Sequence, residues 1–348
     1  MVKFSITPFD VLFFGRGKPF NLSVQEASSI FPPLPTTLAG AISAKIEQEK
    51  GKDASKIIKT FYGPFLEIEE KILFPKPLDI LSEKKKEGGE ITGVELLEER
   101  NFKLIKPFYS DLKEELKSLL WERKRNKEFE VFEGFISLEG LRKWLNNQEV
   151  NREDLFSLKD VFDFEHRIGI HMDYSKNVTR EEDALYRIDF VRLKKGVKIV
   201  FFVEFDVDNY NIFRTEDEVY DFFENNNVKV LKLGGEMRNV TYKCEKGDDI
   251  IKYFIKPMVE NGEKIKILYL TQGVSEEEES YERISGVVKV ANLGRRTKQY
   301  GKGLMKGIKE GSIIYAKVKD KDKLEKDIWL KPDNGEFIGF NLRIYAKI

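Results

Sequence analysis

Ile30-Phe31-Pro32-Pro33-Leu34-Pro35-Thr36-Thr37-Leu38-Ala39-Gly40-Ala41 carries the chain from extended backbone into a helix. Pro32, Pro33 and Pro35 hold the residues before them out of the α region, so no helix begins before Pro35, and Thr36 or Thr37 offers a hydroxyl to cap the helix. Leu38, Ala41, Ile42 and Ile46 then recur near helical spacing to about Glu49, and Gly40 leaves room for another backbone to pack closely. Upstream, residues 2 to 14 alternate as a strand with an apolar end, and Phe13-Phe14-Gly15-Arg16-Gly17-Lys18-Pro19-Phe20 carries a short basic turn. The chain therefore opens as a β-α unit.

A length of 348 residues suits two domains of roughly 150 residues each. The composition, 41% hydrophobic and 34% charged, is that of a globular protein. Because the formal net charge is zero, no whole-molecule field draws in nucleic acid, and any such binding has to come from local clusters. Cys244 is the single cysteine, which excludes an intrachain disulfide and a cysteine zinc cage and points to the cytoplasm. No run of 18 apolar residues occurs and the N-terminus lacks a long apolar segment, so neither a membrane span nor a signal peptide is expected.

Between about 79 and 165 the pattern turns to charged helical stretches, at Lys84 to Glu87, Asp111 to Arg125 and Leu138 to Leu145, and reads as a helical insertion with a solvated face. Leu185 to Phe205 reads as two strands of a hairpin around Lys194-Lys195-Gly196. Thr215 with Glu218 forms a capping box for a helix whose apolar face is Val219, Phe222 and Phe223, and which ends at Asn225-Asn226-Asn227. A strand comes next, at Val228 to Leu233. Strand, helix, two strands, helix, strand is the order of a ferredoxin-like domain, expected over 1–244 with the insertion inside it. From 245 to 348, strands are expected at Ile265 to Leu270, Val287 to Leu293, Ile313 to Val318 and Phe340 to Lys347, with few helices. The fold class is thus α+β.

Chemistry points first to the stretch from Arg283 to Lys309, which holds eight basic residues, among them Arg295, Arg296, Lys298, Lys302 and Lys306, and no acidic one. Gly294, Gly301, Gly303, Gly307 and Gly311 let its backbone approach a phosphate chain, and Tyr300 can stack on a base. A mobile solvated loop is the plainer use of such a composition. Lys302 is followed by Gly303 rather than Ser or Thr, which is not a phosphate-cradling nucleotide loop. Leu233-Gly234-Gly235-Glu236-Met237-Arg238 is a turn in which Arg238 can meet a phosphate or Glu236. His166 and His171 stand five apart without further ligands, so no metal is expected, and Glu276 to Glu279 and Gly247-Asp248-Asp249 read as loops. No cofactor is expected.

The Phe13-to-Ala41 opening, Phe164-Glu165-His166-Arg167-Ile168-Gly169-Ile170 with Ala184-Leu185-Tyr186-Arg187, the Gly234-Gly235 turn and the C-terminal glycine-rich loop resemble, in that order, the third subunit of the type III-B CRISPR Cmr effector complex, in the RAMP superfamily. The resemblance spans most of the chain except the charged insertion. It implies two ferredoxin-like (RRM-like) domains, the second degenerate, and a non-catalytic scaffold in antiviral defence that holds the 5′ tag of a guide RNA. The implied partners are that RNA, the large Cas10-type subunit and the backbone subunit, with target RNA met indirectly. Arg16, Lys18, Arg238 and the group from Arg295 to Lys306, with Arg167 beside them, are the expected phosphate contacts, and the amides of Gly234, Gly235, Gly301 and Gly303 are expected to assist. Where the family has a second basic residue at the glycine turn, this chain has Met237. The alternatives are a RAMP endoribonuclease that processes repeat RNA, disfavoured because no histidine occurs before position 166, and a protein-protein adaptor whose basic loop meets an acidic partner.

Overall fold

The computed structural model describes residues 1–15, 26–83, 94–96, 98–101, 118–121, 129–131, 133–170, 172–173, 178–179, 185–236, 238–247, 253–274, 279–293 and 305–348. In chain order its main elements begin with β1 (Val2–Pro8), α1 (Pro35–Lys50), β2 (Ile58–Ile68), β3 (Lys71–Pro75), β4 (Gly134–Ser137), α2 (Leu138–Leu145) and β5 (Leu155–Ser157). Next come β6 (Phe162–Ile170), β7 (Leu185–Leu193), β8 (Lys198–Phe205), α3 (Glu216–Glu224), β9 (Val230–Lys232) and β10 (Asn239–Lys246). The C-terminal part contains β11 (Lys264–Tyr269), β12 (Tyr281–Val287), β13 (Val290–Leu293), β14 (Met305–Ile308), β15 (Ile313–Val318), α4 (Lys321–Asp327) and β16 (Arg343–Lys347).

Among the described residues the largest sheet runs β5-β4-β3-β2-β8-β1-β10-β9, and a second runs β12-β15-β11-β16. The middle of the large sheet is covered on both faces. In β8, Ile199, Phe201 and Val203 join the core beneath α1 and α3, while Val200 and Phe202 point the other way into the core shared with β11, β15 and β16. A strand apolar at successive positions is suited to burial on both sides, which is why Ile-Val-Phe-Phe-Val lies next to β1 in the sheet interior.

That same burial separates two strands expected to form a hairpin. The turn at Lys194-Lys195-Gly196 is present, with Gly196 at φ +83 and the Val197 amide donating to the Lys194 carbonyl at 3.1 Å. Its arms diverge, however: β8 pairs with β1 and β2, whereas the more charged β7 pairs over nine residues with β6 and in parallel with Glu26–Ser28. The strand that closes the first sheet arrangement beside β1 is β10 rather than the expected 228–233 segment, because Val240, Tyr242 and Cys244 alternate into the core. The 228–233 segment supplies only the short edge strand β9.

Two further expectations change. Helix α1 takes Leu34 as its N-cap with Pro35 in the first turn and no side-chain cap, so neither Thr36 nor Thr37 caps it; a proline already fixed at helical φ begins the helix unaided. Within 79–165, α2 forms as expected, but Ser118–Trp121 is a strand paired with Glu98–Asn101, where backbone pairing overrides a charged helical pattern. The Lys84 to Glu87 stretch lies outside the described residues. Helix α3 forms with Thr215 Oγ1 accepting from the Glu218 amide at 3.2 Å, as its capping signal requires.

Candidate nucleic-acid interface

Alternation along β6 and β7 sorts their polar side chains onto two faces. Glu165, Arg167, Phe190 and Arg192 share one face; His166, Ile168, Arg187 and Asp189 share the other. Toward the first face comes the segment after β1, held by reciprocal 2.8 Å hydrogen bonds between Leu12 and Val191. The Gly234-Gly235 turn closes over it. Gly234 adopts φ +77, and a Cβ there would lie 2.3 Å from the Phe13 carbonyl oxygen, so only glycine admits this approach. The Gly235 amide donates to that same carbonyl at 2.9 Å.

Three arginines meet at this place. Phe190, which is buried, packs against Phe13 with ring centres 5.8 Å apart and carries the Arg238 guanidinium at 4.7 Å and that of Arg167 at 5.3 Å. Arg167 and Arg192 each turn their Nε edge to Glu165, and each turns Nη2 to Asp10, at 3.1 and 3.0 Å. Arg238 approaches Asp10 at 3.9 Å. Loss of solvation pushes the Asp10 carboxyl up, but the hydrogen bonds from Arg167 and Arg192 outweigh it and hold its pKa below the ordinary range. The hydrogen bonds of Arg192 and Arg167 likewise hold Glu165 down. Three guanidiniums against two carboxylates leave one positive charge in excess.

A second group lies at the base of the C-terminal basic segment. Strands β13 and β14 pair from Val290↔Ile308 to Leu293↔Met305, which places Lys306 opposite Asn292 and sets the two ends of 294–304 side by side. Beneath them Glu133 accepts from Lys289 at 2.8 Å and Lys309 at 2.5 Å. Burial raises the Glu133 carboxyl and these two hydrogen bonds more than offset it, so its pKa is lowered. Two of the eight basic residues of the stretch thereby share one carboxylate, which offsets one of their two charges.

Of the expected contacts, the structure thus brings together Arg167, Gly234, Gly235 and Arg238, and places Lys306 on β14. Arg16, Lys18, Arg295, Arg296, Lys298, Tyr300, Gly301, Lys302 and Gly303 lie outside the described residues. Arg238 faces Asp10 and Phe190. Sequence reasoning missed Asp10, Phe190 and Arg192. The spacing of Phe190 and Arg192 puts them on one face, but nothing local names Asp10 as their neighbour. On the opposite face His166 Nδ1 lies 2.5 Å from Asp189 Oδ1, and Arg187 Nε donates to that oxygen at 3.1 Å. Among the described residues no cluster of His, Cys, Asp or Glu is arranged to hold a metal, and no helix is long and apolar enough to cross a membrane.

Residues 4–347 match the family model of the CRISPR-associated protein Cas_Cmr3. The chain belongs to that family. The resemblance read from the Pro-rich opening, the glycine turn and the basic loop is therefore borne out. Cas_Cmr3 membership makes the chain a subunit type of the type III-B CRISPR Cmr complex. Two solved structures of type III-B Cmr-beta share this fold, one bound to cognate target RNA and AMPPnP, the other to cognate target RNA. Each aligns with a TM-score of 0.52 over 90% of this chain and 86% of its own, at 19% and 20% identity. No curated protein matches the Cas_Cmr3 chain by sequence.

Proposed function

We propose that this chain is a non-catalytic RNA-binding scaffold of a type III-B Cmr interference complex, holding the 5′ tag of the guide RNA and bridging the large Cas10-type subunit to the backbone subunit. The observation that carries this reading is the meeting of Arg167, Arg192 and Arg238 at the Gly234-Gly235 turn, next to the root of the Arg16 and Lys18 segment. Partly exposed guanidiniums suit phosphate, and a glycine turn lets a sugar-phosphate chain come close. The paired strands under 294–304 support a second contact through Arg295, Arg296, Lys298, Tyr300, Gly301, Lys302, Gly303 and Lys306. Target RNA reaches the chain through the guide, and the complex belongs in the cytoplasm.

Two ferredoxin-like units, 1–244 and 245–348, provide the frame for this role. Supporting that reading, β1, β2, β8 and β10 succeed one another in the chain but lie in the sheet as β2-β8-β1-β10, all neighbours antiparallel, with α1 after the first and α3 after the third. Strands β11, β12, β15 and β16 repeat the arrangement as β12-β15-β11-β16, with α4 after the third.

RNA crosslinking with mass spectrometry tests the function, on the protein bound to a tagged guide RNA with and without the large subunit. Crosslinks in 294–307 and around Arg16 or Gly234 are expected. Their absence from both samples, with the same segments protected by protein, would replace the scaffold by an adaptor.

A further inference from the structure

Asp10 and Glu165 share the same two arginines but engage them differently. Glu165, on β6, takes Nε of Arg167 and of Arg192 and also lies 2.7 Å from Nη2 of Arg167, contacts that hold the direction of both side chains. Their Nη2 groups then converge on one point, and the group at that point is the carboxylate of Asp10, with one oxygen on Arg167 and the other on Arg192. Arg238 stands 3.9 Å away, stacked on Phe190, its Nε buried without a hydrogen-bond partner. An anion seat is thus built by β6, β7 and the glycine turn, and filled from outside by a residue of the bend after β1.

We propose that Asp10 occupies this seat as a stand-in for an RNA phosphate, that Arg192 is a phosphate ligand with Arg167 and Arg238, and that guide RNA binds here by displacing Asp10. The inference rests on the RNA-binding reading above and adds its regulation. Three features support exchange rather than a permanent brace. Asp10 and Arg192 are each 45% exposed at the side chain and Arg167 is 39% exposed, and exposed ion pairs of this kind are weak and replaceable. The incoming phosphodiester carries the same single charge as the carboxylate it replaces, so the excess charge of the site is unchanged. Finally, a phosphate offers more acceptor oxygens than a carboxylate, enough to serve Arg238 as well as the other two. Glu165 is the positioning residue of the seat: it keeps Arg167 and Arg192 aimed while the occupant changes.

The test measures affinity of the full chain for a tagged guide RNA across a range of salt, for the wild type and for Asp10→Asn, Arg192→Gln and Glu165→Gln, with thermal unfolding of each as control. Asp10→Asn is expected to bind about two- to fivefold more tightly, the span of one exposed charge pair. Its salt slope should steepen, because the phosphate then meets arginines that carry no competing carboxylate. Arg192→Gln and Glu165→Gln should weaken binding with unfolding temperatures little changed. If the wild type binds and Asp10→Asn binds with the same affinity and slope, the seat is only a structural brace and the RNA-binding reading survives without it. If neither protein binds RNA, both fall, and a partner whose binding tightens with Asp10→Asn marks the seat as one for an acidic protein. Binding by Asp10→Asn alone would show the displacement to be the controlling step.

Discussion

Trp144 of α2 donates its indole N–H to both oxygens of Asp79, at 2.9 and 3.1 Å, and so fastens a helix on the first sheet to a fully buried carboxylate. The second sheet reaches the same group, with the Tyr315 hydroxyl donating at 2.9 Å and Lys266 lying 4.1 Å over the Trp144 ring while donating to its carbonyl. Lys76 sits beside them, its amine held by the carbonyls of Pro77 and Ile80. The seam between the sheets is therefore polar at its centre, within an otherwise apolar core.

Removing Asp79 leaves two buried amines without their counter-charge and two donors without an acceptor. Burial pushes the Asp79 carboxyl up, so the lost hydrogen bonds set the scale: Asp79→Ala should lower stability by about 2–6 kcal/mol, the cost of leaving the Trp144 and Tyr315 donors unsatisfied. Denaturant unfolding measures it, and a drop below about 1 kcal/mol would refute the account of the seam.

Burial pushes the Lys76 amine down to about 7 and that of Lys266 down to about 8, with Asp79 only partly restoring each. In the unfolded chain both return to an ordinary lysine value near about 10.4. Between about pH 7 and 10 the unfolded state thus holds more protons than the folded one, and stability should rise with pH across that window. Unfolding free energies at pH 7 and pH 9 decide it; a fall in that interval contradicts the assignment.

Gly234→Ala forces a side chain into left-handed backbone and against the Phe13 carbonyl. A cost of about 1–3 kcal/mol is expected, read as a lower unfolding temperature. Gly196→Ala, at φ +83 but with open space around it, should cost less, which separates strain from collision.

Glu133→Gln frees Lys289 and Lys309 at the base of the basic segment. The three side chains are about one-third exposed, so stability should drop by at most about 1 kcal/mol. The lowered Glu133 pKa gives the sign with pH: its contribution is present above the ordinary glutamate range and is lost as pH falls through the lowered value. RNA affinity should increase; a decrease would assign Glu133 to shaping the loop.

Arg295→Gln with Arg296→Gln should weaken guide RNA binding and flatten the salt slope by about 0.7 for each phosphate that goes unpaired. A lower affinity at unchanged slope would point to stacking or shape instead.

Local pattern was enough for much of this protein. The period of Leu38, Ala41, Ile42 and Ile46, the Thr215 cap, the strand Ile313–Val318 and the turn at Gly196 are legible because each depends on neighbours within a few residues. So was the family, because its motifs are short and ordered along the chain. What periodicity does not carry is the partner. It marked β7 and β8 as strands and left open that they would enter different sheets, a choice made by the two-sided burial of β8. Asp10, in an exposed bend, has no pattern at all, yet it meets Arg167 and Arg192 across separations of 157 and 182 residues. By itself the sequence determined the helices over Pro35–Lys50 and Glu216–Glu224 and strands such as Ile313–Val318, whose signals lie within a few residues. Only the tertiary structure decided which charges meet, because ion pairs and buried carboxylates form between side chains brought together by strand pairing and sheet packing, over distances along the chain that no local signal spans.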